Sequence, residues 1–122
     1  GINVCRVADG FLFKQYLSES AFGEISRYYD EYEYRFEVPP DRFVFVRSVL
    51  REHGYAPVVQ EDHNPFAVLN RKYTNHPDVL FEKSVYQRSL GNFNCFVMTD
   101  RDAVEEAIGE GAIPISETDY EL

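Results

Sequence analysis

The sequence predicts an α+β fold: a ferredoxin-like split β-α-β sandwich with extra strands, in which a mainly antiparallel sheet carries helices on one face. Three observations predict it. Segments of strand and helix periodicity follow one another in the order β-α-β, extra strands, β-α-β. Apolar residues make up 44% of the 122 residues and run through the whole chain, with no repeat, linker or low-complexity tract. A chain of this size can bury about two-thirds of its extended surface, so residues 1–122 are expected to form one domain with its own core.

In order along the chain, INVCRV reads as a first strand, and Ser20 can cap a helix carrying Ala21, Phe22, Ile25 and Tyr28. Glu31 to Val38 alternates strictly, which predicts a half-buried strand with Tyr32, Tyr34, Phe36 and Val38 inward and Glu31, Glu33, Arg35 and Glu37 outward. Pro39 and Pro40 end it. Phe43, Val46, Val49 and Leu50 recur at helical spacing up to the stop at Gly54, and Tyr55 to Gln60 returns as a strand, closing a β-α-β unit over residues 31 to 60. Phe66 to Tyr73 is a further strand. Val79 to Arg88 and Phe93 to Thr99 read as a hairpin turning at Ser89 to Asn92, with a helix over Asp78 to Leu90 as the alternative. Thr99 and Asp102 have capping-box spacing before Ala103, Val104, Ala107 and Ile108, and Ala112 to Ser116 completes the set as a last strand.

Charge is the most unusual feature of the composition: 21 acidic residues against 12 basic give −9, with lysine only at 14, 72 and 83. An acid-rich, lysine-poor surface stays hydrated when salt screens its self-repulsion, so salt adaptation is favoured over codon bias with an ordinary acidic surface. No apolar run is long enough to span a membrane, and GINVCRV carries no signal-peptide pattern. A cytoplasmic protein is expected. Residue 1 is glycine and Met98 is the sole methionine, so the chain is expected to be trimmed or processed.

Candidate chemistry centres on His63 and His76 with Asp62 and Asp78, all in turn segments, where convergence would build a catalytic or ligand site. The bland reading is that such turns select Asp and Asn for backbone reasons. His53 falls in the last turn of a helix, where it complements the dipole. Histidine spacing fits no metal motif, and the dispersed glycines form no phosphate loop, so no metal or cofactor is expected. Cys5 and Cys95 sit among apolar neighbours and are expected to be reduced, buried thiols.

The run Gly91 to Ile108, GNFNCFVMTDRDAVEEAI, resembles the third strand and second helix of an RNA recognition motif. That resemblance implies an RNA-contacting strand, with a basic residue at Asn92, glycine at Phe93 and aromatics at Asn94 and Thr99. The chain departs from the pattern at all four, and its net charge opposes phosphate. A nucleic-acid reading would rest on Arg71, Lys72, Lys83 and Arg88 as a basic stripe. The favoured reading is a non-enzymatic module, rich in Tyr and Phe, that associates with itself as a homodimer or with a protein partner.

Overall fold

Ile2 and Val4 alternate with Asn3 along β1 (Ile2–Val7), and a tight turn at Ala8 and Asp9 folds the chain back into β2 (Gly10–Phe13). The structure, a computed structural model, describes residues 1–122, and the chain divides into two compact units of equal length, Gly1–Glu61 and Asp62–Leu122. The fold is mixed α+β with four helices, two sheets and mostly antiparallel strands.

In the first half, α1 (Glu19–Ile25) is capped by Ser18, whose hydroxyl accepts from the Ala21 N–H at 3.3 Å. The cap lies two residues earlier than expected. β3 (Tyr29–Asp30) and β4 (Arg35–Val38) form a hairpin, α2 (Phe43–Glu52) follows a 3-10 turn at Pro40–Arg42, and β5 (Pro57–Gln60) closes the unit. The strand order is β3-β4-β2-β1-β5, antiparallel except for β1 and β5. β4 and β5 therefore run in the same direction but are separated by β2 and β1, and α2 crosses over both. Ile2, Val4, Phe13, Phe36 and Val38 from the sheet meet Ala21, Ile25, Phe43, Val46, Val49 and Leu50 from the helices in one core. Phe11 stacks on Phe43 at 4.0 Å and Phe13 on Phe36 at 4.7 Å.

The expected long strand over residues 31–38 is only half there. Phe36 and Val38 are buried, but Tyr32 is 87% and Tyr34 64% exposed. The Asp30 carboxylate accepts from the N–H groups of Tyr32 (2.9 Å) and Glu33 (3.1 Å), and Tyr34 takes a left-handed φ of 58°, so the chain turns where alternation alone would extend it. Those two bonds also hold the Asp30 carboxyl below its usual range.

In the second half, β6 (Ala67–Arg71) is followed by α3 (Val79–Glu82), β7 (Ser84–Leu90), β8 (Phe93–Met98), α4 (Arg101–Gly109) and β9 (Ile113–Pro114). The segment 78–90 is thus a single helical turn and then a strand. β7 and β8 are joined through Gly91, at φ 57°, and Asn92. Asp100, not Thr99, caps α4, accepting from Ala103 N–H at 2.7 Å. The strand order is β7-β8-β6-β9, antiparallel throughout, which places two β-α-β units in interlocking positions. The single sheet expected for the whole chain is therefore replaced by two. β6 pairs on both sides within its own half, with β8 and β9, and leaves no side for β5.

Candidate functional site

His63 and His76 both belong to the second half, and strand register puts them on opposite faces of its sheet. Tyr86 is cross-strand to Val97, so it projects on the Cys95–Val97 side, and its hydroxyl shares a 2.5 Å hydrogen bond with His63 Nδ1. His76 packs edge-on against Phe96 (5.7 Å) and bonds Asn94, which lie on the other side by alternation. The two do not converge. Asp62 is occupied locally, its carboxylate accepting from the backbone N–H (3.0 Å) and side-chain amide (2.8 Å) of Asn64. Asp78 immediately precedes α3, where its carbonyl accepts from Phe81 and Glu82 N–H groups.

The surroundings of His76 determine its tautomer. Nδ1 is 2.7 Å from the Thr74 carbonyl, which can only accept, so Nδ1 carries the proton and donates. Nε2 lies 3.2 Å from the Asn94 amide nitrogen and accepts from it. The Asn70 amide sits 3.2 Å from the Thr74 hydroxyl and donates there, while that hydroxyl donates to the Arg71 carbonyl at 2.7 Å. With both ring nitrogens engaged, His76 latches the 71–76 turn onto β6 and β8 rather than presenting a base to a substrate. His53, in the first half, ends α2 as expected and also pairs with Glu24 of α1 at 2.5 Å.

Both cysteines are free and buried. Burial pushes each thiol up to about 11, with Arg88 drawing Cys95 slightly back. A thiol in that state is protonated at neutral pH and makes a poor nucleophile. No group of three or more His, Cys, Asp or Glu side chains is placed to hold a metal ion.

The basic candidates separate as well. Arg71 lies over the Phe93 ring at 5.4 Å, and Arg88 is cross-strand to Cys95, so both project on one face of the sheet. Lys83 is tied to Glu106 of α4 at 2.7 Å, a contact that raises its pKa. The four therefore do not form a stripe in which every cation is open to phosphate.

One groove of about 300 Å³ lies in the first half between the β1–β2 turn and β4, and sequence reasoning missed it. Asp9, Leu12, Arg35, Glu37 and Pro39 are among its lining residues, and Arg35 pairs with Glu37 at 3.2 Å. Gly10 also lines it, and a Cβ there would stand 2.2 Å from the Val38 carbonyl oxygen, so only glycine lets the two strands approach at that point. The signal was Asp9-Gly10, a turn dipeptide, before the apolar run Phe11-Leu12-Phe13. The groove carries no histidine, cysteine, serine or threonine to act as base or nucleophile.

No family model, curated protein or solved structure matches the chain.

The remaining feature is apolar surface. The first half completes a core, yet Val44 and Phe45 on α2 and Val58 and Val59 on β5 stay exposed.

Proposed function

We propose that this chain is a non-enzymatic module that works by self-association, in a salt-rich cytoplasm. The observation that carries the reading is that Val44, Phe45, Val58 and Val59 remain outside a core already filled by twelve buried residues. Apolar side chains left over from a finished core are available to a partner. Two further features favour association over catalysis: the turn histidines are spent on structural hydrogen bonds, and the thiols are buried. The acid-rich composition supports the salt-adapted setting.

The second half supports a finer fold reading. Its β-α-β-β-α-β order and β7-β8-β6-β9 sheet correspond to the ferredoxin-like split arrangement, confined to residues 62–122 rather than spread over the chain. β8 and α4 are the third strand and second helix of that order, the places the RNA-recognition resemblance implies for Gly91 to Ile108. Stacking on RNA would need the Asn94 and Phe96 side of β8 open. Here Phe81 of α3 packs on Phe96 at 5.5 Å and Asn94 is bonded to His76, which argues against a nucleic-acid role.

Light scattering in molar KCl over a hundredfold concentration range tests the association. The expected mass rises above 14.2 kDa with concentration, and a mass that stays at 14.2 kDa throughout overturns the reading. Urea midpoints test the salt adaptation. A midpoint that rises from dilute to molar KCl supports it, whereas an unchanged or lower one leaves codon bias as the explanation.

A further inference from the structure

We infer that β5 is the edge on which a second copy of this chain docks, the two β5 strands pairing antiparallel across a twofold axis at Val59. The inference rests on the self-association proposed above and names its surface.

The backbone supplies the first argument. Ile2 N–H donates to the Ala56 carbonyl at 2.9 Å, and β5 runs parallel to β1 with Ile2 opposite Pro57. Alternation then turns the Val58 and Gln60 N–H groups towards β1. The Pro57 carbonyl, both Val59 groups and the Glu61 N–H point away from the sheet, because β5 pairs with no strand on its other side. Two copies related at Val59 exchange two hydrogen bonds between the Val59 residues. Each Glu61 N–H donates to the opposite Pro57 carbonyl for two more. The donor that each Pro57 lacks leaves two bonds of the ladder unmade, one on either side of the axis.

Side chains agree with this register. Val59 meets Val59, Val58 meets Gln60, and Glu61 falls opposite Pro57, so no like charges are set against each other. Val59 projects on the face of its neighbour Val4, which is fully buried in the core, so the docked pair would extend that core across the axis.

The other three edges are guarded. β3 and β9 are two residues long, and β9 contains Pro114. β7 is bulged between Ser84 and Tyr86 and exposes Gln87, Arg88 and Ser89. β5 is an uncharged four-residue edge with Val58 50% and Val59 36% exposed, and it has only Pro57 at its start as protection. A short ladder between two copies of charge −9 makes a weak dimer that salt strengthens.

The test compares the wild-type chain with Val59→Pro and Val59→Lys by sedimentation equilibrium in molar KCl. Proline removes a donor that the fold itself does not use, and lysine sets like charges opposite each other at the axis. Each variant is expected to weaken dimerisation by about tenfold or more while keeping the wild-type circular dichroism. Folded variants that dimerise as well as wild type would overturn this edge but leave self-association standing. A wild-type chain that never dimerises would overturn both. Should either variant fail to fold, amide exchange on the wild type decides. Val59 and Glu61 N–H groups are expected to gain protection with concentration while Val58, bonded within the sheet, does not change. Equal exchange of Val59 and Glu61 in dilute and concentrated samples would overturn the inference.

Discussion

The two halves of the chain treat their sheets in opposite ways. In Gly1–Glu61 the helices and core lie on one face, while the other face carries the Arg35–Glu37 pair and the Asn3–Gln60 hydrogen bond. In Asp62–Leu122 the central strands are buried on both faces: Ala67 to Leu69 and Cys95 to Met98 are all closed to solvent. Composition follows. The first half has ten acidic against seven basic residues and sends Tyr32 and Tyr34 outward, whereas the second has eleven against five and turns two histidines inward. A strand covered on one side reads as alternation, and one covered on both reads as a continuous apolar run. One short chain therefore contains both sequence patterns.

The strongest way to sharpen that contrast is to empty each core. Phe36→Ala and Phe96→Ala should each cost about 3–5 kcal/mol in urea unfolding, since both rings are fully buried. A Phe96 loss clearly below that of Phe36 would show that double coverage lets the second half collapse around a cavity.

Glycine substitutions separate the halves next. At Gly10, φ is 149° and an added Cβ would strike the Val38 backbone at 2.2 Å, so Gly10→Ala must displace a strand. At Gly91, φ is 57° and the obstacle is the Tyr120 hydroxyl at 2.1 Å, the end of a side chain that can swing away. Gly10→Ala is expected to cost about 3 kcal/mol and Gly91→Ala about 1–2. Equal losses would mean that Tyr120, which packs on Phe93 at 5.9 Å, is held as firmly as backbone.

The thiols test whether the halves are equally dry inside. An unfolded cysteine loses its proton near pH 9, while Cys5 and Cys95 hold theirs to about 11. The stability each contributes is therefore complete below pH 9 and lost as pH rises through 11, by at most about 2–3 kcal/mol per thiol. Cys5→Ala and Cys95→Ala should each flatten the fall in urea midpoint between pH 9 and 11. A variant whose slope matches wild type would show that its thiol is reached by water.

Local periodicity made α2 legible, because Phe43, Val46, Val49 and Leu50 all face the core they were expected to face, and β1 matched Ile2–Val7. It failed where a side chain captured the backbone: Asp30 bends the chain at Tyr32, which alternation cannot register. β2 leaves no trace in the pattern because GFLF is too short to show a period, and without β2 the alternation predicts one sheet. The histidines were visible as residues but not as neighbours. Whether two turns meet depends on the face to which each strand presents its partner, here Tyr86 against Asn94, and that is settled by long-range register.

The smallest expected effect concerns a backbone device found in both halves. Tyr34 at φ 58° and Tyr73 at φ 64° are exposed tyrosines in the left-handed region, one in each half. An L-residue there costs about 1–2 kcal/mol relative to a relaxed conformation, and glycine avoids that cost but adds about 0.5–1 kcal/mol of unfolded-state freedom. Tyr34→Gly and Tyr73→Gly should therefore be neutral or stabilise by up to about 1 kcal/mol in urea. If the rings serve a partner rather than the fold, the same variants weaken association without lowering the midpoint. A loss of stability beyond about 1 kcal/mol at either site would instead mean that the ring supports its own turn, and would remove that tyrosine from the exposed surface on offer to a partner.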